Sequence, residues 1–175
     1  MKTYQRDPSV PERERLFVGV SEWDVASAGQ TLVAYGLGAC VAVVLYDPEA
    51  RVGGLAHPML PRQDEADSTN ESKFVDPAVE HLLRETLAAG ATYGSVEGYV
   101  VGGADLIDLP ELPREVSERN AEVALAELDR LGVPVAGTDV GGTHGRTVEL
   151  DVGTGALRVS TAAGEPTLLR SPEED

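Results

Sequence analysis

Hydrophobic residues in the first third of the chain occur in short runs separated by polar or glycine-containing turns. Runs rich in β-branched and aromatic residues are typical of strands. The third run is apolar throughout, which favours a strand buried on both faces, and a turn at Asp47-Pro48 joins it to the fourth run as a hairpin. The four predicted strands cover residues 16–20, 31–35, 41–46 and 52–60.

Apolar residues at helical spacing predict two helices further along the chain. Asp76 and Pro77 predict the N-cap and first turn of the first helix, and Gly90 its end. The second helix is predicted from about Ser117 to Leu131. Strands mixed with two helices indicate an α+β layered domain. Further strands are predicted at residues 96–101, 133–136, 147–150 and 157–160.

The chain has 175 residues, which suits one domain with its own core. Residues 1–15 are polar and contain two prolines, so we expect a flexible N-terminal arm. Residues 16–165 are expected to form the single domain, and residues 166–175 an acidic tail. A polar, acidic stretch at residues 61–73 is expected to be a loop.

The formal net charge of −16 limits the possible partners. Nucleic-acid binding needs a basic surface, and the sequence contains no basic cluster, so this class is excluded. Acidic residues are spread along the chain, and such a charge is tolerated best where salt screens it. We therefore expect a halophilic, archaeal-type protein. The alternative is an acidic protein from a host without high salt.

No apolar stretch approaches the roughly 18 residues that a membrane-spanning helix requires. The first residues also lack the apolar segment of a signal peptide. The sequence therefore predicts a cytoplasmic protein without membrane insertion.

Cys40 is the single cysteine of the chain, which excludes an internal disulfide and argues against a cysteine-based metal site. A free cysteine is often a small buried hydrophobic residue. Here it follows Gly36, Gly38 and Ala39, and glycines let the backbone turn sharply and approach a substrate closely. Such a turn can also direct backbone N–H groups toward an oxyanion. Cys40 is therefore a candidate nucleophile, and Gly38 and Ala39 are candidate substrate-binding residues.

A thiol nucleophile needs a base, and His57 is the best candidate. It lies in the strand predicted to pair with the strand after Cys40, and Gly53, Gly54 and Ala56 are expected to leave space around it. A lone histidine in a strand is more often structural than catalytic. His144, in a glycine-rich loop at residues 141–146, is the alternative base.

Six segments together resemble the chemoreceptor glutamine deamidase family, CheD. The resemblance runs in order from about residue 16 to residue 160 and does not depend on any single motif. The segments are residues 36–43, 46–48, 53–61, 101–104, 118–120 and 139–146.

This resemblance implies a fold of two packed mixed β-sheets flanked by helices, similar to the catalytic domains of deamidating toxins. It also implies a hydrolase that converts selected glutamines on the cytoplasmic helices of chemoreceptors to glutamate and ammonia. Cys40 falls on the family nucleophile and His57 on its base. Neither a metal nor an organic cofactor is implied.

The resemblance also implies a second partner, the chemotaxis phosphatase CheC. A mainly non-catalytic regulatory module that binds CheC and receptors is therefore the alternative function. Arg119 and Asn120 are expected either to tie loops together or to line the substrate groove. The glycines at positions 102, 103, 141 and 142 are expected mainly to form tight turns.

One position departs from the family pattern. The family threonine that orients the histidine lies six residues before the cysteine, where this chain has Ala34. Thr31 is a poor substitute, because a shift of three residues along a strand moves it about 10 Å and to the opposite face. A backbone carbonyl, Thr143 or Asp139 remain as alternatives for orienting His57.

Overall fold

The computed structural model describes residues 14–65, 69–106, 115–162 and 164–173. Most of the N-terminal arm expected at residues 1–15 lies outside these ranges. Within the described residues the chain forms two five-stranded sheets and two α-helices.

Most predicted elements are present at nearly the expected positions. The helices are α1 (Val75–Ala88) and α2 (Glu115–Arg130). The strands are β1 (Glu14–Phe17), β2 (Trp23–Ser27), β3 (Gln30–Leu37), β4 (Val41–Asp47), β5 (Val52–Ala56), β6 (Glu97–Gly102), β7 (Val135–Val140), β8 (Arg146–Asp151), β9 (Leu157–Ser160) and β10 (Thr167–Arg170).

Both sheets are mixed. Sheet A has the order β1-β3-β8-β9-β10, and sheet B has the order β2-β5-β4-β6-β7. The pairs β1–β3 and β6–β7 are parallel, and the other pairs are antiparallel. The predicted α+β fold with two mixed sheets and flanking helices is therefore confirmed.

Side chains of β4 alternate between two hydrophobic cores. Ala42, Val44 and Tyr46 join the core between the sheets, which also contains Leu32 and Ala34 of sheet A. The intervening residues of β4 face the core formed with α1 and α2; they are Val41, Val43 and Leu45. This two-sided burial explains the uninterrupted apolar run of the strand.

Two strands were not predicted. β2 contains Trp23 and Asp24 and lacks a clear alternating pattern, and β10 is only four residues long. β10 lies within residues 166–175, the segment expected to be a tail. The division into arm, domain and tail stays a prediction.

Several predicted boundaries were wrong. β1 ends at Phe17 and not at residue 20, and β7 covers Val135–Val140 and not residues 133–136. β5 ends at Ala56 and not at residue 60, because Pro58 has no N–H to donate to the ladder. Helix α1 begins at Val75 with Phe74 as its N-cap, so Asp76 lies inside the first turn. There the Asp76 carboxylate accepts a hydrogen bond from the Gln63 N–H at 3.1 Å.

Gly53 and Gly54 do not open space around His57 as expected. A Cβ on Gly53 would lie 2.7 Å from Leu150 Cδ2, and one on Gly54 would lie 2.6 Å from Thr86 Oγ1. These glycines let the inter-sheet core and helix α1 pack directly against the β5 backbone. His57 itself is only 1% exposed.

We predict that Gly53→Ala lowers the free energy of unfolding by about 1–3 kcal/mol, because the added methyl group overpacks the core. Gly94→Ala is the matched control, since a Cβ there meets no atom within 4 Å. Denaturant unfolding of both variants tests this. Equal stability of Gly53→Ala and the unsubstituted protein would contradict the packing role.

Candidate active site

Cys40 lies immediately before β4 and is partly buried against the inter-sheet core. The carbonyl groups around it are tied to neighbouring segments. Gly38 O accepts a hydrogen bond from Ala104 N at 2.7 Å, and Cys40 O accepts one from Gly103 N at 2.9 Å. The cysteine loop is thus held from one side by the loop that follows β6.

Gly102 and Gly103 make this close approach possible. Both have positive φ values, 112° and 61°. A Cβ on Gly102 would overlap the Cys40 carbonyl oxygen, and one on Gly103 would lie 2.8 Å from Ser117 O. These glycines therefore support the cysteine loop as well as forming a turn.

The sheet register brings His57 to the same face as Cys40. Val43 pairs with Ala56, and Val41 N donates to Pro58 O at 3.4 Å, so His57 lies opposite Ala42. Cys40 is two residues before Ala42 and packs against the same inter-sheet core. The two residues thus lie diagonally opposite each other just beyond the ends of β4 and β5.

The main chain of His57 is fixed by the turn before β2. His57 N donates to Glu22 O at 2.9 Å, and Ser21 N donates to His57 O at 2.8 Å. The imidazole ring is held by a separate hydrogen bond, in which Nδ1 lies 3.2 Å from the carbonyl oxygen of Val18. A carbonyl oxygen can only accept, so Nδ1 carries the proton. Nε2 is left unprotonated and buried, without a hydrogen-bond partner in the part of the chain that the structure describes.

An unprotonated Nε2 with a free lone pair is what a general base requires. No hydrogen bond joins it to Cys40 in this structure, so the two groups are neighbours and not a bonded pair. Catalytic hydrogen bonds are often long before substrate binds and shorten in the reacting complex.

Burial sets the protonation of both groups. It raises the pKa of the Cys40 thiol, a shift that the residue's own backbone N–H partly opposes. Burial also lowers the pKa of His57, against the opposing effects of the Val18 carbonyl and the Glu22 carboxylate. Both shifts favour the neutral forms. Burial therefore favours a thiol beside a neutral imidazole over a thiolate–imidazolium pair.

Among the alternatives for orienting His57, the structure contains a backbone carbonyl. In the register of β1 with β3, Phe17 pairs with Val33, so Val18 comes next to Ala34. The Val18 carbonyl thus acts beside the position where the family threonine is expected. Ala34 contributes only a methyl group to the inter-sheet core.

The other residues considered for this role lie elsewhere. Thr31 lines a cavity with Arg15 and Glu149, on the face of sheet A opposite to that of Ala34. The Asp139 carboxylate pairs with Arg146 at 3.1 Å, and Thr143 is exposed.

His144 is exposed and lines a cavity of about 490 Å³ together with Gly36 and Thr161. Ala39 is exposed directly beside Cys40, whereas Gly38 is buried. A Cβ on Gly38 would lie 2.7 Å from the Leu106 side chain.

Asn120 is a residue of the site that sequence reasoning did not place in its chemistry. It is fully buried in α2, and its side-chain amide donates to Ala39 O at 2.8 Å and to Met59 O at 3.0 Å. The sequence signal was a polar residue on the apolar side of a predicted helix. These two hydrogen bonds connect two loops, which corresponds to one of the two roles expected for Asn120.

Among the described residues, no cluster of three or more His, Cys, Asp or Glu side chains has the arrangement of a metal site. Neither helix that the structure describes is long and apolar enough to cross a bilayer.

The fold and the site thus define an α+β protein of two packed sheets, with a thiol and a base-competent imidazole on one face of sheet B. Residues 59–161 match the family described as "CheD chemotactic sensory transduction". The chain belongs to the CheD family, as its sequence motifs predicted.

Proteins of similar sequence align with this chain over most of their own length. A protein of Haloarcula marismortui named "Probable chemoreceptor glutamine deamidase CheD" is 37% identical, over 93% of this chain and 96% of its own. Proteins of the same name from Natronomonas pharaonis and Desulfitobacterium hafniense are each 40% identical, over 89% and 82% of this chain and 93% and 91% of their own. The two relatives from Haloarcula and Natronomonas fit the expected halophilic, archaeal character.

One solved structure, the Bacillus licheniformis hypothetical protein YfiH, is 13% identical and covers 69% of this chain and 49% of its own. Its TM-score of 0.37 is too low for an argument about the fold.

We predict that alkylation of Cys40 by iodoacetamide accelerates as the pH rises above neutrality and slows steadily below it. The raised thiol pKa keeps the thiolate scarce near pH 7. Because Cys40 is the single cysteine, the rate reports this site alone. Glutathione, measured in parallel, is the reference thiol. A rate that stays constant from acid to neutral pH would indicate an ion pair and contradict the prediction.

Proposed function

We propose that this protein is a protein-glutamine glutaminase of chemotaxis, an amidohydrolase that converts side-chain amides of specific chemoreceptor glutamines to glutamate and ammonia. The supporting observation is a partly buried cysteine near an imidazole whose Nε2 has no hydrogen-bond partner among the described residues. The relatives named as probable chemoreceptor glutamine deamidases supply the substrate class.

The first half-reaction uses both groups. His57 Nε2 takes the Cys40 proton as the sulfur attacks the amide carbon, and a carbon–sulfur bond forms. The Cys40 N–H is proposed to stabilise the oxyanion of the tetrahedral intermediate. His57 returns the proton to the leaving nitrogen, the carbon–nitrogen bond breaks, and ammonia departs from a thioester.

The second half-reaction consumes water. His57 removes a proton from the water that attacks the thioester carbonyl. The carbon–sulfur bond breaks, the sulfur recovers its proton from His57, and glutamate is released. No atom changes its oxidation state in either half-reaction, so neither an oxidant nor a reductant is required.

Gly38 and Ala39 are proposed to contact the substrate. Ala39 is exposed beside the thiol, where its small side chain leaves room for a glutamine to approach. Gly38 contributes through its lack of a side chain, since it lies under Leu106.

Chemoreceptor cytoplasmic helices are the proposed substrate, which assigns the protein to the cytoplasm. The likeness to deamidating-toxin catalytic domains also stays part of the proposal. It accords with two packed mixed sheets that place a cysteine before a central strand.

The second candidate function is a mainly non-catalytic module that binds CheC and receptors. Two observations favour it. Ala34 cannot orient His57, and the His57 Nε2 makes no hydrogen bond to the thiol. On this reading the same exposed surface beside Cys40 serves to bind a partner.

We predict that Cys40→Ala abolishes ammonia release from receptor fragments, because no other thiol can form the intermediate. Mass spectrometry of the peptides would show the NH2-to-OH mass change with the unsubstituted protein only. A thermal unfolding curve controls for folding of the variant. Full activity of Cys40→Ala would rule out the enzyme reading. Inactivity of the unsubstituted protein together with CheC binding would favour the second candidate.

We predict that His57→Ala lowers the deamidation rate by ~10²–10⁴, the range typical for loss of a general base. His144→Ala is the matched control, because His144 is exposed on a loop and makes no side-chain bond to Cys40 or His57. It is expected to retain nearly full activity. The opposite ranking of the two variants would assign the base to His144.

A further inference from the structure

Asn120 is a costly residue at its position. It is 0% exposed within helix α2, where asparagine is a poor helix former. Burial of an amide is unfavourable unless its polar atoms are bonded. Its presence therefore needs a reason other than packing.

The amide nitrogen supplies that reason through two hydrogen bonds. Asn120 Nδ2 donates to Ala39 O at 2.8 Å and to Met59 O at 3.0 Å. Ala39 directly precedes Cys40, and Met59 follows His57 by two residues. One NH2 group has two protons, and both are used to join the segments that carry the thiol and the imidazole.

The other end of the same amide is unsatisfied. Asn120 Oδ1 is buried and has no hydrogen-bond partner among the residues that the structure describes. Leaving such an acceptor unpaired costs about 1–3 kcal/mol. An apolar residue of similar size would avoid that cost, so the two donated bonds are the useful part of this side chain.

The bond to Ala39 O controls the direction of the next N–H group. The peptide between Ala39 and Cys40 is planar and trans, so its C=O and N–H point in opposite directions. Asn120 draws the carbonyl toward α2. The Cys40 N–H then points away from the helix, toward the opposite side of the loop.

The carbonyls of Gly38, Ala39 and Cys40 each accept a hydrogen bond, and the bond to Ala39 is the one donated by a side chain. The carbonyls of Gly38 and Cys40 are held by backbone N–H groups of Ala104 and Gly103, which only a substitution by proline would remove. The Ala39 carbonyl between them accepts from Asn120.

We propose that Asn120 is a positioning residue: by holding the Ala39 carbonyl, it keeps the Cys40 N–H directed at the place where the oxyanion forms. Without Asn120 the peptide can rotate, and a carbonyl oxygen replaces the donor there. The inference deepens the proposed function, because it concerns the acyl-transfer step of the same site.

The test compares two reactions of the same sulfur in Asn120→Leu. Acyl transfer from p-nitrophenyl acetate passes through an oxyanion, whereas alkylation by iodoacetamide does not. We expect acyl transfer to fall by up to about 10²-fold, as when an oxyanion donor is removed. Alkylation at the same pH is expected to change little. Cys40→Ala gives the background rate for both reactions.

Val123→Ala is the matched control, a buried substitution on the same helix that weakens packing without touching the cysteine loop. It should leave the ratio of the two rates unchanged. If Asn120→Leu does not fold, Asn120→Ser replaces it, since one hydroxyl proton cannot hold both carbonyls. The same selective loss is expected.

The inference is overturned if both reactions of the Asn120 variant fall together, if neither falls, or if Val123→Ala shows the same selective loss. These outcomes are independent of receptor deamidation. A selective loss with p-nitrophenyl acetate, in a protein that leaves receptor glutamines intact, would support the role of Asn120 and reject the proposed function.

Discussion

The hydrogen bond between His57 Nδ1 and the Val18 carbonyl is the interaction on which the site depends. It links the two sheets, because Val18 follows β1 of sheet A and His57 follows β5 of sheet B. It also fixes the tautomer, which leaves Nε2 as the basic nitrogen. A base-competent imidazole therefore exists here only after the sheets have packed together.

Burial controls the electrostatics of this site more than the acidic surface does. Desolvation is the main cause of both the raised thiol pKa and the lowered imidazole pKa. Among the described carboxylates, Glu22 contributes to the His57 pKa shift, and it acts in the opposite direction. The pKa values of Cys40 and His57 thus respond mainly to their immediate packing, despite the formal net charge of −16.

Features carried by local pattern could be predicted from the sequence. The apolar run of β4, the helical spacing of α1 and the cysteine after a glycine-rich turn were all evident, and the predicted hairpin brought the segments of Cys40 and His57 together. The Val18 carbonyl could not be predicted, because every residue has a backbone carbonyl and only packing selects one.

Contacts between residues far apart in the sequence could not be predicted either. Asn120 is 81 residues from Ala39 and 61 from Met59, so its bonds depend on how α2 is placed on sheet B. Gly53 and Gly54 suggested open space, but the side chains that fill it come from β8 and α1.

His57 can be oriented even though this chain has Ala34 where the family has a threonine. A threonine hydroxyl can rotate and can either donate or accept, so it specifies a tautomer only with help from its own partners. The Val18 carbonyl accepts only, and its direction is set by the backbone, whose N–H donates to Val33 O at 2.8 Å. An acceptor held in this way loses no side-chain freedom when it binds the ring. The methyl group of Ala34 can then contribute to the core beside it, while the main chain performs the polar task.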